Sequence, residues 1–376
     1  MNYELSTDND EDLGSGPSKP PFPWFGGKSR AASLIWARLG NVDNYVEPFA
    51  GSLAVLLGRP TPPGTETVND ADRYVANFWR AVQHDPDAVA FAADWPVNET
   101  DLESRHVWLV NEGRHELTRT LTDPDGFDAR IAGWWVWGQC VWIGSGWCSG
   151  SGPWQVVGRE WLRNAGQGVN RKLPHLGNAG QGVNRKLPHL GDAGQGVNRK
   201  LPHLGDAGKG VNRKLPHLGD AGKGHPHREH LIGYMRSLAR RLRYVRVACG
   251  DWRRVLTPSI TFRHGVTGIV LDPPYGEGEV DYSAGGNRTS IAADVREWAI
   301  EQGGNPDMRI ALCGYDGQHD MPSDWQVEEW TAAGGYSSTA KGETEGKANR
   351  HRERVWFSPA CIQGDKQTSL FVTEAA

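Results

Sequence analysis

The sequence predicts an α/β fold built on a mostly parallel sheet with helices on both faces. Three observations carry this: short apolar runs that stop at Pro or Gly turns, amphipathic stretches between those runs, and a low-complexity segment that splits the pattern into two blocks. In the first block, Asn44 to Val46 reads as a strand running into Glu47-Pro-Phe-Ala-Gly-Ser52, followed by helical Leu53 to Leu57. Thr65 to Asn69 reads as the next strand and Tyr74 to Gln83 as a helix. In the second block, Leu231 to Leu242 has apolar residues at helical spacing, Tyr244 to Cys249 alternates as a strand, and Thr267 to Leu271 is an apolar strand ahead of Asp272-Pro273. Ile291 to Glu301 follows as helix, Arg309 to Gly314 as strand and Glu353 to Phe357 as the last strand, with a frayed end beyond Ser358. Between the blocks, Phe127 to Trp161 holds seven of the seventeen tryptophans in a Gly-rich setting, which suits core or interface packing better than a stacking platform.

Composition limits the function classes. The 376 residues suffice for a sizeable core, and at 38 % hydrophobic and 23 % charged no run of eighteen apolar residues exists to span a bilayer. The five cysteines, Cys140, Cys148, Cys249, Cys313 and Cys361, are odd in number and lack any CxxC, which argues against a disulfide framework and a structural zinc site. No metal is expected. Residues 1–17 carry Glu4, Asp8, Asp10, Glu11 and Asp12 ahead of Gly14-Ser-Gly-Pro17, which reads as an acidic disordered tail rather than a signal peptide, and so as a cytoplasmic protein.

The net charge of -4 hides an asymmetry. Ser151 to Gly250 holds 18 basic against 5 acidic residues, while the remainder is acidic. Such a localised excess is the footprint expected for a phosphate backbone, although a solvated loop also accommodates it. Inside it, Asn164-Ala-Gly-Gln-Gly-Val-Asn-Arg-Lys-Leu-Pro-His-Leu-Gly177 recurs from Asn178, Asp192 and Asp206, with a truncated fifth copy at 220–224. The period is too short for a helical solenoid, and one Pro plus several turn-forming residues per copy disfavour helix. Near-identity of the copies fits a tolerated surface insertion; the functional reading is that Arg171, Lys172, Arg185, Lys186, Arg199, Lys200, Arg213 and Lys214 touch DNA phosphates. His175, His189, His203 and His217 lack acidic or Cys partners at ligand spacing.

Three motifs carry chemistry. Pro21-Phe-Pro-Trp-Phe-Gly-Gly-Lys28 sets paired glycines at the start of a helix with a Lys beside them, a weak anion-site signal alone. Tyr45-Val-Glu-Pro-Phe-Ala-Gly-Ser52, with Asp70 ending the next strand, has the strand, Gly turn, helix and acidic residue layout that cradles a nucleoside; it is not GxGxxG, which disfavours a dinucleotide. Leu271-Asp-Pro-Pro-Tyr275 follows an apolar strand, and its two prolines hold Asp272 stiffly at the sheet's carboxyl edge.

Together and in this order, these motifs resemble the Dam-like (DPPY-motif) N6-adenine-specific DNA methyltransferases, over roughly Pro20 to Asn98 and Leu231 to Pro359. The resemblance implies a Rossmann-like class I methyltransferase fold and S-adenosylmethionine as cofactor. It implies catalytic domain parts at 18–98 and 231–359, an inserted DNA-recognition region at 99–230 containing the repeats, and a flexible tail at 360–376. By the same resemblance Trp24, Lys28, Glu47, Phe49, Gly51, Asp70 and, more weakly, Asp251 hold the cofactor, Lys28 through its carboxylate. Asp272, Pro273, Pro274 and Tyr275 receive the target adenine, and Asp272 also borders the cofactor. N4-cytosine transfer is a rival, but that group typically has Ser where Asp272 stands. A non-catalytic DNA-binding protein on the same scaffold is another, and the intact tetrapeptide speaks against it.

Overall fold

The computed structural model describes residues 19–24, 26–123, 126–142, 147–148, 154–157, 160–163, 227–274, 291–331 and 352–363. In chain order the elements are α1 (Ala32–Leu39), β1 (Asn44–Glu47), α2 (Ala54–Leu57), β2 (Thr65–Asp70), α3 (Arg73–His84), α4 (Pro86–Ala93) and α5 (Glu99–Trp108). A π-helical turn (Leu109–Gly113) leads into α6 (Arg114–Thr120), then come α7 (Ala129–Val141) and the hairpin strands β3 (Trp154–Val157) and β4 (Glu160–Arg163). After the repeats come α8 (His227–Leu242), β5 (Arg246–Cys249), β6 (Thr267–Leu271), α9 (Ile291–Gln302), β7 (Met308–Tyr315), β8 (Gln326–Glu329) and β9 (Glu353–Phe357).

Seven strands form one sheet in the order β5-β2-β1-β6-β7-β9-β8. The pairs from β5 to β7 are parallel, while β9 runs antiparallel to both neighbours. The central strand β6 is buried at all five positions, as its unbroken Thr-Gly-Ile-Val-Leu run requires of a parallel strand covered on both faces. One face packs Ile35, Leu56, Phe78, Val89, Trp135 and Leu238 from the α1–α4, α7 and α8 helices; the other packs Val295 and Ala299 of α9 with Trp252 and Val255 of a 3₁₀ turn. This is the Rossmann-like methyltransferase arrangement expected from the sequence.

Local sequence explains the helix starts. Asp72 accepts from Tyr74 N at α3 (2.8 Å), Asp85 from Ala88 N at α4 with Pro86 in its first turn (3.0 Å), Asn98 from Asp101 N at α5 (2.8 Å), and Asp128 from Ile131 N at α7 (2.7 Å). Two readings shift. Strand β5 begins at Arg246, because Tyr244 turns outward and is 74 % exposed. The π-helical turn, α6 and α7, within the stretch assigned to the insert, place Leu109, Leu117, Ile131 and Trp137 in the core of the sheet's first face. The tryptophans of α7 and its flank act as packing: Trp135 and Trp137 are buried, and Arg105 lies 4.5 Å and 4.7 Å from the Trp95 and Trp137 ring centroids.

The two sequence blocks are clamped together. Glu66 on β2, buried, meets Arg59 at 3.2 Å and Arg241 of α8 at 2.6 Å, while Gln83 of α3 donates to the carbonyls of Leu242 and Val245. No helix among the described residues is long and apolar enough to cross a membrane. The repeats with their eight Arg and Lys, Tyr275 and the acidic tail lie outside the described residues.

Candidate active site

The strand order reverses between β1 and β6: the chain steps from β1 to β2 on one side and from β6 to β7 on the other. A crevice opens at the carboxyl ends of strands at such a reversal, where ligands bind in open α/β sheets. Four segments end there: Pro48 to Leu53 after β1, Asp70 of β2, Gly250-Asp251 after β5, and Asp272 to Pro274 after β6. Lys28 reaches the same edge from the loop before α1.

The turn after β1 is held on several sides. Gly51 has φ +45°, a left-handed conformation, and a Cβ built on it would sit 2.5 Å from Trp24 Nε1. Its N–H donates to Asp70 Oδ2 at 2.9 Å and its carbonyl accepts from Trp79 Nε1 at 3.0 Å. Asp70 Oδ1 accepts from Asp72 N at 2.8 Å. Asn69 Nδ2 donates to the carbonyls of Pro48 and Gly250, both at 3.0 Å, tying the turns after β1 and β5 together. Phe49 faces Trp252, with ring centroids 6.2 Å apart.

Burial governs the ionisable groups. It pushes Glu47 up to about 8, against the hydrogen bond from the Tyr45 hydroxyl to Oε2 at 2.9 Å. It pushes Asp70 up to about 7, aided by neighbouring Asp72 and opposed by the backbone N–H groups. For Lys28, only 4 % exposed, burial is the largest influence and works against the ammonium, but the attractions of Asp272, Cys313 and Glu353 together outweigh it and its pKa is raised. Lys28 Nζ lies 2.9 Å from Asp272 Oδ1 and donates to the Gly26 carbonyl at 2.7 Å. Its ammonium therefore meets Asp272 at the same strand end.

Lys28, Glu47, Phe49, Gly51, Asp70, Asp272, Pro273 and Pro274 therefore share one sheet edge, with Trp24 packed on the Gly51 turn. Asp251 stands at the rim, half-exposed, capping the 3₁₀ turn through Arg253 N at 2.8 Å and pairing with Arg253. Sequence reasoning missed Tyr45, Asn69 as a tie between turns, and Trp330, whose ring centroid lies 5.5 Å from Lys28 Nζ. Nothing local flags Trp330; it reaches Lys28 only through the sheet order. Among the described residues no group of three or more His, Cys, Asp or Glu stands where it could hold a metal.

Residues 24–111 match the profile of the D12 class N6 adenine-specific DNA methyltransferase family. No curated protein matches the chain. The D12 match covers under a quarter of the 376 residues and includes Trp24, Lys28, Glu47, Phe49, Gly51 and Asp70, while Asp251 and Asp272 fall beyond it. DNA adenine methylation is the activity that the D12 family supports, and DNA is the substrate that it implies.

Proposed function

We propose that the chain transfers a methyl group from S-adenosylmethionine to N6 of an adenine turned out of the DNA helix, by direct displacement. The observation that carries this reading is the meeting of Asp272-Pro273-Pro274, fixed by Lys28, with the Glu47, Gly51 and Asp70 turn at one sheet edge.

The donor set fits the cofactor. Glu47 and Asp70 are buried carboxylates suited to a cationic, hydroxylated ligand, Phe49 and Trp252 offer a ring pair for its adenine, and the left-handed Gly51 lets the turn close against Trp24. These residues, with Trp24 and Asp251 at the rim, would hold it. When bound, S-adenosylmethionine supplies an electrophilic methyl on a sulfonium.

The chain's part is to present the acceptor. An adenine amine is a poor nucleophile because its lone pair is delocalised into the ring. Asp272 Oδ2 and the Pro273 carbonyl accept its two N–H bonds, which makes the nitrogen more pyramidal and directs the lone pair at the methyl. Lys28, 2.9 Å from Oδ1, holds the Asp272 side chain in place at the strand end. Transfer would form the N–C bond as the cofactor's S–C bond breaks, and the methylated amine would release its surplus proton to solvent. Tyr275 provides a face for the unstacked base, worth about 1–3 kcal/mol against an extrusion cost of a few kcal/mol. The repeats' Arg and Lys contact phosphates around the site.

The test is incubation with methyl-labelled S-adenosylmethionine and unmethylated duplex DNA, followed by nucleoside mass analysis. Label in N6-methyladenine, lost in Asp272→Ala with the fold intact by circular dichroism, is expected. Label in N4-methylcytosine, no label despite cofactor binding, or substantial activity of the variant would overturn the reading.

A further inference from the structure

Tyr45 and Glu47 stand two residues apart on β1, so their side chains share one face of the strand, about 6.6–6.8 Å apart along it. The Tyr45 hydroxyl spans that gap and donates to Glu47 Oε2 at 2.9 Å. The phenol has no room to move: it is fully buried, and its ring is stacked on Trp36 of α1 with centroids 5.0 Å apart and planes at 29°. Trp36 is pinned in turn, donating Nε1 to the Val55 carbonyl at 2.7 Å with the Arg59 guanidinium 5.1 Å from its ring centroid. Burial is what most opposes a charge on Glu47, and Asp272 beyond β6 and Glu66 of β2 add to it; Cys313 of β7 is the further ionisable group facing it. The Tyr45 hydroxyl and the Leu56 N–H work the other way. Burial and the Glu47 charge push the phenol's own pKa well above its usual value, so it remains a donor.

We propose that Tyr45 is a positioning residue for cofactor binding, its hydroxyl aiming the Glu47 carboxylate at the turn after β1, where it meets the hydroxyls and cationic groups of S-adenosylmethionine. This rests on the proposed methyl-transfer reading, in which Glu47 helps to hold that cofactor. A glutamate has a rotamer-rich stem, and fixing it only when a ligand arrives costs side-chain entropy. The bond from Tyr45 fixes it in the ligand-free protein, so the acceptor is preorganised. The same bond favours the ionised carboxylate, the form that accepts from hydroxyls and attracts a cation. It also explains why a tyrosine stands at a fully buried strand position, since phenylalanine would fill the same space against Trp36.

Tyr45→Phe keeps the ring on Trp36 and deletes the hydroxyl. The test is calorimetric titration of the full-length protein with S-adenosylmethionine from about pH 6 to about pH 10, below the unfolding temperature of every variant. Glu47, at about 8 in the ligand-free protein, must release its proton to accept from the ligand, so wild-type affinity should rise with pH through that value. Removing a donor that favours the charge moves this rise upward. Tyr45→Phe is expected to weaken binding roughly tenfold or more at about pH 7 and to shift the profile up by about one unit, with kcat at saturating cofactor changed less than about threefold. Added to Glu47→Gln, the same substitution is expected to weaken binding less than about threefold, because no carboxylate is left to aim. Tyr45→Phe affinity within about twofold of wild type, an unshifted profile, or an equal loss with and without Glu47→Gln would overturn the proposal and leave the methyl-transfer reading standing. A wild-type protein that binds no S-adenosylmethionine would overturn both.

Discussion

Replacing Gly51 by Ala adds one methyl group at the most constrained point of the site. At φ +45° an L-residue incurs about 1–2 kcal/mol from the contact of its Cβ with the following carbonyl. The new Cβ would stand 2.5 Å from Nε1 and 2.7 Å from Cδ1 of Trp24, distances no real contact shows, and relief by backbone shift is opposed by the bonds to Asp70 and Trp79. Trp24 cannot simply retreat, because Phe22 and Trp135 lie behind it with ring centroids at 5.7 Å and 6.2 Å. Overpacking of this kind costs about 1–3 kcal/mol, and the stiffer unfolded chain returns about 0.4–1 kcal/mol. The net expectation is a loss of about 1–5 kcal/mol in urea unfolding followed by circular dichroism. Cofactor affinity should fall as well, since the Gly51 N–H to Asp70 bond is displaced with the turn. Trp24→Ala in the same chain removes the ring the methyl collides with, so the pair should recover about 1–3 kcal/mol of coupling while the conformational cost remains. A loss under about 0.5 kcal/mol, or a double variant in which the two effects add, would refute the reasoning.

Two further predictions concern charge. Glu47 and Asp70, raised to about 8 and about 7, bind protons in the folded ligand-free protein that the unfolded chain has released above its ordinary carboxylate range. The stability they contribute is present below about pH 4 and lost as pH rises through about 7 to 8, so the unfolding temperature should fall between about pH 5 and pH 9. Glu47→Gln should flatten that fall, and an unchanged slope would contradict the assignment. Deleting 164–191 removes two Arg-Lys pairs; if all four cations meet phosphates, the slope of log affinity for DNA against log salt should lessen by about 3–4, with cofactor binding unaltered. An unchanged slope would leave the repeats without a role in DNA contact.

The central strand β6 was legible because it is an apolar run closed by Asp-Pro-Pro, and both it and the antiparallel β9 fall at 267–271 and 353–357 as read. Helix α7 was not, since a segment buried nearly all round shows no stripe, and its Trp-Trp-Val-Trp read as a cluster instead. Strand β8, Gln-Val-Glu-Glu at an edge with alternate residues half-buried, has too little apolar length to announce itself. The site divides likewise. Glu47, Asp70 and Asp272 stand at strand ends next to turn residues and could be named from local pattern. The tie from Asn69 to Gly250 and the ring of Trp330 over Lys28 exist only once strands distant in sequence are laid side by side.

The same strand order has a consequence during synthesis. Strands β1 and β2 pair with each other, but their outer edges are covered only by β6 and β5, which lie beyond the repeats. With translation at about 5–20 residues per second, the ribosome needs roughly 10–40 s to pass from the end of β2 to the end of β6. Throughout that interval the nascent chain presents unpaired backbone on both sides of a two-stranded ribbon, together with the aromatic face meant for the core. Every added repeat copy of 14 residues lengthens this wait by about 1–3 s, so the array adds to the time the unfinished sheet stays open to pairing with another chain.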